Sequence, residues 1–164
     1  MADNSYHDDL SDREKNVVAA MRRHCPQGRV LDFPCGKGYL SGFLADEGYD
    51  VVAADIDRDI FEPEDITWEK ADLDADFAFE DSSFDIVCCV AGMEHTESPY
   101  HVAREMRRVL RPGGYLMLQV PNFSNLMRRM RFVITGRLTK RPPRLVRDDE
   151  QKTGSDHLAA YPLE

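Results

Sequence analysis

Arg29-Val30-Leu31-Asp32-Phe33-Pro34-Cys35-Gly36-Lys37-Gly38 is the stretch that decides how the rest of the chain is read. Val30, Leu31 and Phe33 supply the short apolar run that a parallel strand buried on both faces requires. Gly36 and Gly38 have no Cβ, so the backbone there can take positive φ or let a ligand approach closely. A helix begins at Tyr39, and its first free N–H groups point back at the turn. Asp32 adds a carboxylate at the end of the strand, beside the same turn. Two ligand classes use such a turn. The dinucleotide fingerprint G-x-G-x-x-G matches poorly, because Gly36 and Gly38 are followed by Ser41, with Gly42 one position late. An acid before the turn suits instead a ligand that carries a cationic ammonium group. The plain alternative is an ordinary strand–turn–helix of an α/β protein.

Outward from this turn, strands and helices alternate. Ser11-Asp12-Arg13-Glu14 is a capping box, and Val17, Val18, Met21 and Cys25 fall on one side of the helix it opens. Residues 39–47 read as a short helix with Leu40, Phe43 and Leu44 inward and Gly48 as its C-cap. Residues 50–55 are a second buried strand ending in Asp55, a carboxylate about 20 residues past the first, where it is placed to accept the hydroxyls of a ribose. Its other reading is the N-cap of a helix over 57–62. Residues 66–70 form a short third strand, followed by Asp72 and Leu73 within an acidic run that is otherwise a solvated loop. The fourth strand is apolar from Ile86 to Val90 and opens into Ala91-Gly92-Met93-Glu94-His95. Ser98-Pro99 starts a helix with Val102, Ala103, Met106, Val109 and Leu110 at helical spacing, and Pro112-Gly113-Gly114 turns into a fifth strand over 115–120. This pattern predicts a doubly wound, mostly parallel α/β sheet, with ligands beyond the carboxyl ends of its strands.

The totals narrow the class. A chain of 164 residues with a mean hydropathy of −0.50 is one globular domain with a real core. It has no apolar run long enough to span a bilayer and no signal peptide. Cys25, Cys35, Cys88 and Cys89 form no C-x-x-C pair, which favours reduced thiols in a cytoplasmic protein over disulfides or zinc. The net charge of −9 argues against general nucleic-acid affinity. The charge is uneven: between Leu126 and Arg147 there are eight basic residues and no acidic one.

Asp32, Gly36 and Gly38 resemble motif I (D-x-G-x-G-x-G) of the class I S-adenosylmethionine-dependent methyltransferases of small-molecule type, with Pro34 in place of the first glycine. Phe84-Asp85-Ile86-Val87, Glu94-His95, Arg108 to Gly114 and Val120-Pro121-Asn122 look like that family's successive blocks, so the resemblance covers residues 29–122. It implies a Rossmann-like sheet of strand order 3-2-1-4-5 and S-adenosylmethionine as cofactor, held by Asp32, Cys35, Gly36, Gly38, Asp55, Ile56, Asp72, Leu73, Val90 and Ala91. It implies methyl transfer to a small or carrier-bound acceptor. His95 is the candidate general base, its alternative role being to orient its loop. No metal is expected.

Residues 1–122 would be the cofactor-binding part, and residues 123–164 a basic lid-like segment and tail of the same domain. A basic lid over the substrate suggests an anionic acceptor; a solvated basic face and contact with anionic lipid are the alternatives. The family's two final antiparallel strands are missing, as in a shortened chain or a natural minimal form. An uncovered, apolar fifth strand invites self-association. A cofactor-binding module without catalysis is the competing function, and a nicotinamide-dependent oxidoreductase a weaker one.

Overall fold

The computed structural model describes residue 6 and residues 8–120. Nine elements follow in order: helix α1 (Asp12–His24), strand β1 (Arg29–Asp32), helix α2 (Tyr39–Asp46), strands β2 (Asp50–Asp55), β3 (Thr67–Lys70) and β4 (Phe84–Val90), a 3-10 turn (Met93–His95), helix α3 (Pro99–Val109) and strand β5 (Leu110–Gln119). The strands form one parallel sheet of order β3-β2-β1-β4-β5, the expected order. The order reverses between β1 and β4, so the carboxyl ends of these two strands flank the crevice where such sheets take ligands.

The period-2 alternation of the strands sorts side chains to two layers. Val30, Val51, Ile86 and Cys88 face α1 and α2, meeting Val17, Val18, Met21, Leu40, Phe43 and Leu44. Leu31, Val52, Val87 and Cys89 face the other way, meeting Val102, Met106 and Val109 of α3. Both helices on the first layer start as the residues dictate. Ser11 and Glu14 complete the capping box of α1, with Glu14 Oε2 accepting the Ser11 N–H at 2.7 Å. Gly38 opens α2 with φ +81° and no side-chain cap.

Three local differences from the sequence reading have clear causes. No helix forms over 57–62; Asp57 Oδ1 instead accepts the Asp59 N–H at 3.0 Å, an Asx turn. The N-cap alternative for Asp55 therefore has no helix to cap. The fifth strand begins at Leu110 rather than Tyr115, because Leu110 pairs with Phe84 before the ladder slips and resumes at Tyr115 opposite Ile86. In that slip Gly113 has φ +82°, and a Cβ on Gly114 would sit 2.7 Å from the Asp85 carbonyl. Arg111 closes the bulge by donating to Asp85 Oδ1 at 2.7 Å and to the Ser82 carbonyl at 3.1 Å. The block around Pro112-Gly113-Gly114 is thus architectural: it sits where β5 begins, at the opposite end of the sheet from the crevice. Ser98 heads α3 without a side-chain cap bond; Asp74 accepts its N–H instead, at 3.1 Å.

Among the described residues β5 is one of the two outer strands, and Leu116 and Leu118 along it and Val120 just after it are 42%, 49% and 49% exposed. The basic segment 126–147 and the region in which the final strands are expected to be absent lie outside the described residues.

Candidate functional site

The glycine turn is held from three sides. Phe33 N–H donates to the Cys88 carbonyl and Cys35 N–H to the Ala54 carbonyl, so the end of β1 is tied to both neighbours. Phe61 and Pro63 pack over Gly38, where a Cβ would lie 2.4 Å from the Phe61 ring. Lys37 bonds Glu62 at 2.9 Å and fastens the segment after β2 to the turn. Gly36 is different: its φ is +53° and nothing lies within 4 Å of where its Cβ would be. The turn is therefore closed over Gly38 and open over Gly36, as a backbone surface that receives a ligand must be.

Asp55 stands at the end of β2 beside that opening. Its Oδ2 accepts the Gly36 N–H at 2.8 Å and its Oδ1 the Ile56 N–H at 2.7 Å. Oδ1 also takes a long bond from the Asp57 N–H at 3.5 Å; an ionised carboxylate has about four lone-pair sites, so Oδ2 retains capacity for a further donor. Ile56, next to it, is 43% exposed, an apolar side chain left open at the crevice. An open glycine, a positioned carboxylate and an uncovered aliphatic side chain together fit the ribose and base of an adenosine-type group.

Asp32 is more deeply placed than a sequence reading conveys. It is 1% exposed, and Ser41 Oγ from α2 donates to its Oδ2 at 2.6 Å. Burial raises its pKa to about 7; the Ser41 hydrogen bond opposes this, and the nearby carboxylates of Glu14 and Asp55 add to it. The protein thus keeps a buried carboxyl of raised pKa under the turn. Ser41 had no signal in the sequence beyond its place in the mismatched glycine fingerprint.

Cys35 is buried with Ala53 and Phe61, and burial pushes its thiol far above the ordinary range, so it packs rather than reacts. Cys88 is raised likewise and Cys89 to about 12, each chiefly by burial. Asp72 is exposed and accepts the Asp74 N–H at 3.0 Å, whereas Leu73 is buried in the α3-side core. Asp74 ties this acidic loop to the segment before α3, accepting from the Thr96 hydroxyl and from Glu97 N–H at 2.9 Å. Part of the acidic run is therefore a structural clasp.

At the end of β4, Val90 is half-buried and Ala91 takes φ +55°. A non-glycine residue held there is the sort of strain that collects at ligand sites. Gly92 follows against the Pro34 ring, with room for no Cβ, so the loop after β4 is seated on the glycine turn. His95 N–H bonds the Gly92 carbonyl at 2.9 Å, and its side chain is exposed. Among the described residues no cluster of His, Cys, Asp or Glu could hold a metal ion, and no helix is long and apolar enough to cross a membrane.

Comparison with known proteins agrees with this geometry. A family model described as "Methyltransferase domain" matches residues 31–118, more than half the chain. The chain is 31% identical over 112 residues to a ubiquinone biosynthesis O-methyltransferase of Xanthomonas campestris, covering 63% of this chain and 47% of that one. A protein of the same name from Paraburkholderia phymatum is 29% identical over 108 residues, covering 60% and 47%. The chain spans about half the length of the curated relatives it matches. Among solved structures, a Pyrococcus horikoshii protein superposes with a TM-score of 0.54 at 27% identity, over 70% of this chain and 62% of that one. A SAM-dependent methyltransferase from Archaeoglobus fulgidus gives 0.60 at 25% identity, over 79% and 62%. With its strand order, its open glycine turn and its carboxylates at the strand ends, the chain belongs to the methyltransferase domain family and has the Rossmann-like fold of class I S-adenosylmethionine-dependent methyltransferases.

Proposed function

We propose that this chain binds S-adenosylmethionine in the crevice at β1, β2 and β4 and catalyses transfer of its methyl group to a hydroxyl of a small or carrier-bound acceptor. The observation that carries this is Asp55: it ends β2 beside Gly36, the glycine of the turn left open, and its two oxygens hold the Gly36 and Ile56 N–H groups. Asp55 takes the ribose hydroxyls, Ile56 covers the adenine, and Asp72 with Leu73 bounds it. Gly36, Gly38 and Cys35 shape the backbone under the cofactor, and Val90 and Ala91 form the wall opposite. Asp32 supplies the negative charge that faces the ammonium group. The bound cofactor supplies an electrophilic methyl on a sulfonium.

What the chain itself contributes is mostly position. Holding an acceptor oxygen in line with that methyl converts an encounter into a fixed geometry, worth up to about 7–11 kcal/mol in ideal cases. His95 takes the hydroxyl proton. The choice of a hydroxyl follows the O-methyltransferase names of the relatives.

Calorimetric titration with S-adenosylmethionine, S-adenosylhomocysteine and NAD separates this reading from the nicotinamide alternative. Asp55→Ala should weaken binding of the first two by about 1.5–3 kcal/mol, the range for hydrogen bonds to a charged group. Unchanged affinity in a folded variant removes Asp55 from the site. His95→Ala should lower turnover while leaving cofactor affinity in place; the reverse pattern would make His95 a binding residue.

A further inference from the structure

Among the described residues, three buried side-chain polar atoms have no hydrogen-bond partner: Trp68 Nε1, Glu94 Oε2 and Gln119 Oε1. Trp68 lies against the Cys35 thiol, a weak acceptor that accounts for it. The other two have no such account, and both stand at the carboxyl ends of neighbouring strands, beside the crevice. Gln119 closes β5 opposite Val90, and its carbonyl accepts the Ala91 N–H at 2.9 Å. Glu94 follows Ala91 by three residues, in the 3-10 turn. Gln119 uses its amide N–H on the Val120 carbonyl at 3.2 Å, which leaves its oxygen facing no donor.

Both orphaned atoms are acceptors, and folded proteins rarely leave buried acceptors unmet. The backbone between them is fixed rather than relaxed. Ala91 is held at φ +55° and Gly92 is wedged against Pro34. Two unmet buried acceptors, Glu94 Oε2 on that strained loop and Gln119 Oε1 at the adjoining end of β5, describe an edge waiting for donors.

We propose that Glu94 Oε2 and Gln119 Oε1 form the acceptor-recognition edge of the site, binding a ligand that presents hydroxyl or amino groups and disfavouring a carboxylate or phosphate there. The purpose of that ligand rests on the methyl-transfer reading; its chemistry rests on these two side chains. The assignment opposes the anionic acceptor expected from the basic residues of 126–147, because an anion at this edge meets the like charge of Glu94.

Titration of the full chain with phenol, benzylamine and benzoate, each with and without saturating S-adenosylhomocysteine, tests it. Phenol and benzylamine are expected to bind about tenfold or more tighter than benzoate, because only they offer donors. Glu94→Gln should erase most of that preference, and Gln119→Leu should weaken phenol several-fold. Benzoate binding as tightly as phenol, an unchanged preference in folded Glu94→Gln, or no binding of either donor probe overturns the assignment. If the Glu94 variant does not fold, Gln119→Leu decides, with unchanged phenol affinity overturning it. Failure of S-adenosylhomocysteine to bind would overturn the methyl-transfer reading instead, and the probes used alone would still judge this edge.

Discussion

Replacing Arg108 by methionine is expected to destabilise the fold by roughly 2–4 kcal/mol, read as a melting midpoint lower by roughly 6–16 °C. Arg108 is the clasp between α3 and the connection from β3 to β4. Its guanidinium donates to the Phe77 carbonyl at 2.8 Å, the Phe79 carbonyl at 2.8 Å, Glu105 at 2.7 Å and Asp81 at 2.7 Å. Glu105 in turn accepts the Phe77 N–H at 2.9 Å. The clasp holds Phe77 against Phe33 and Phe79 against Phe84, edge to face at 5.0 and 5.3 Å. Methionine keeps much of the apolar stem but leaves two carbonyls and a carboxylate without their donor. The exposed pair with Asp81 adds little, since Asp81 is 77% exposed. A midpoint within about 2 °C of the parent would show that the clasp is incidental.

The same clasp fixes an acid transition. The Arg108 hydrogen bond holds Glu105 down at about 2, burial opposes this, and the Phe77 N–H supports it. A carboxyl whose folded value lies below its unfolded one stabilises the fold at neutral pH. That contribution is complete above about pH 4.5 and is lost as pH falls from there towards 2. In Arg108→Met the loss over this window should shrink, because the largest cause of the lowering is removed and only burial and the Phe77 N–H, which oppose each other, remain.

Asp32→Asn is the second large effect, and its sign is opposite for stability and for binding. The folded pKa of Asp32 is about 7, above its ordinary value of 3.8, chiefly because of burial. A carboxyl raised in this way costs the fold nothing below about pH 4, costs increasingly as pH rises from 4 to 7, and costs a constant amount above that. At about 1.36 kcal/mol per unit, and allowing for the hydrogen bonds an amide must find in place of the carboxyl, the variant should be more stable at pH 8 by about 2–4 kcal/mol. It should also bind S-adenosylmethionine about tenfold or more weakly, since the ammonium loses its carboxylate. In the parent protein, affinity for S-adenosylmethionine should rise with pH through neutrality, whereas affinity for adenosine, which lacks the ammonium, should stay flat. Equal pH dependence for the two ligands would place Asp32 outside the ammonium site. A folded, stabilised variant with intact binding would make it a structural residue. The pattern expected is the familiar exchange of stability for function at a ligand site.

Much of the fold was legible because its signals are local. The capping box at Ser11, the apolar runs of β1, β2 and β4 and the helical spacing of Val102, Met106 and Val109 each depend on residues close in sequence. Strands alternating with helices left few topologies, and the family resemblance chose among them the order β3-β2-β1-β4-β5 that the structure has. Asp55 was legible as the carboxylate that ends β2, because its spacing from Asp32 reflects one strand–helix–strand unit. Leu73 shows the limit. From its place in an acidic run it reads as part of a solvated loop or of the cofactor site, and only the fold shows that it is buried with Phe77 and Val87, a destination set by partners at least four positions away.

By itself, then, the sequence determined the class of fold, the order of its strands and the strand ends at which chemistry gathers, since periodicity, caps and glycines act over a few residues. Tertiary structure alone decided which of those groups are open and which are satisfied. Gly36 and Gly38 look alike in sequence, but only Gly38 is covered, by Phe61 arriving from the segment after β2. Asp32 and Asp55 both end strands and both are buried, but Asp32 meets Ser41 of α2 whereas Asp55 meets the N–H of Gly36, the open glycine of the turn. Glu94 and Gln119 lie far apart in the chain, and only the pairing of β4 with β5 brings both to the crevice. Burial and hydrogen-bond satisfaction are sums over neighbours from distant segments, and no short window of sequence contains them.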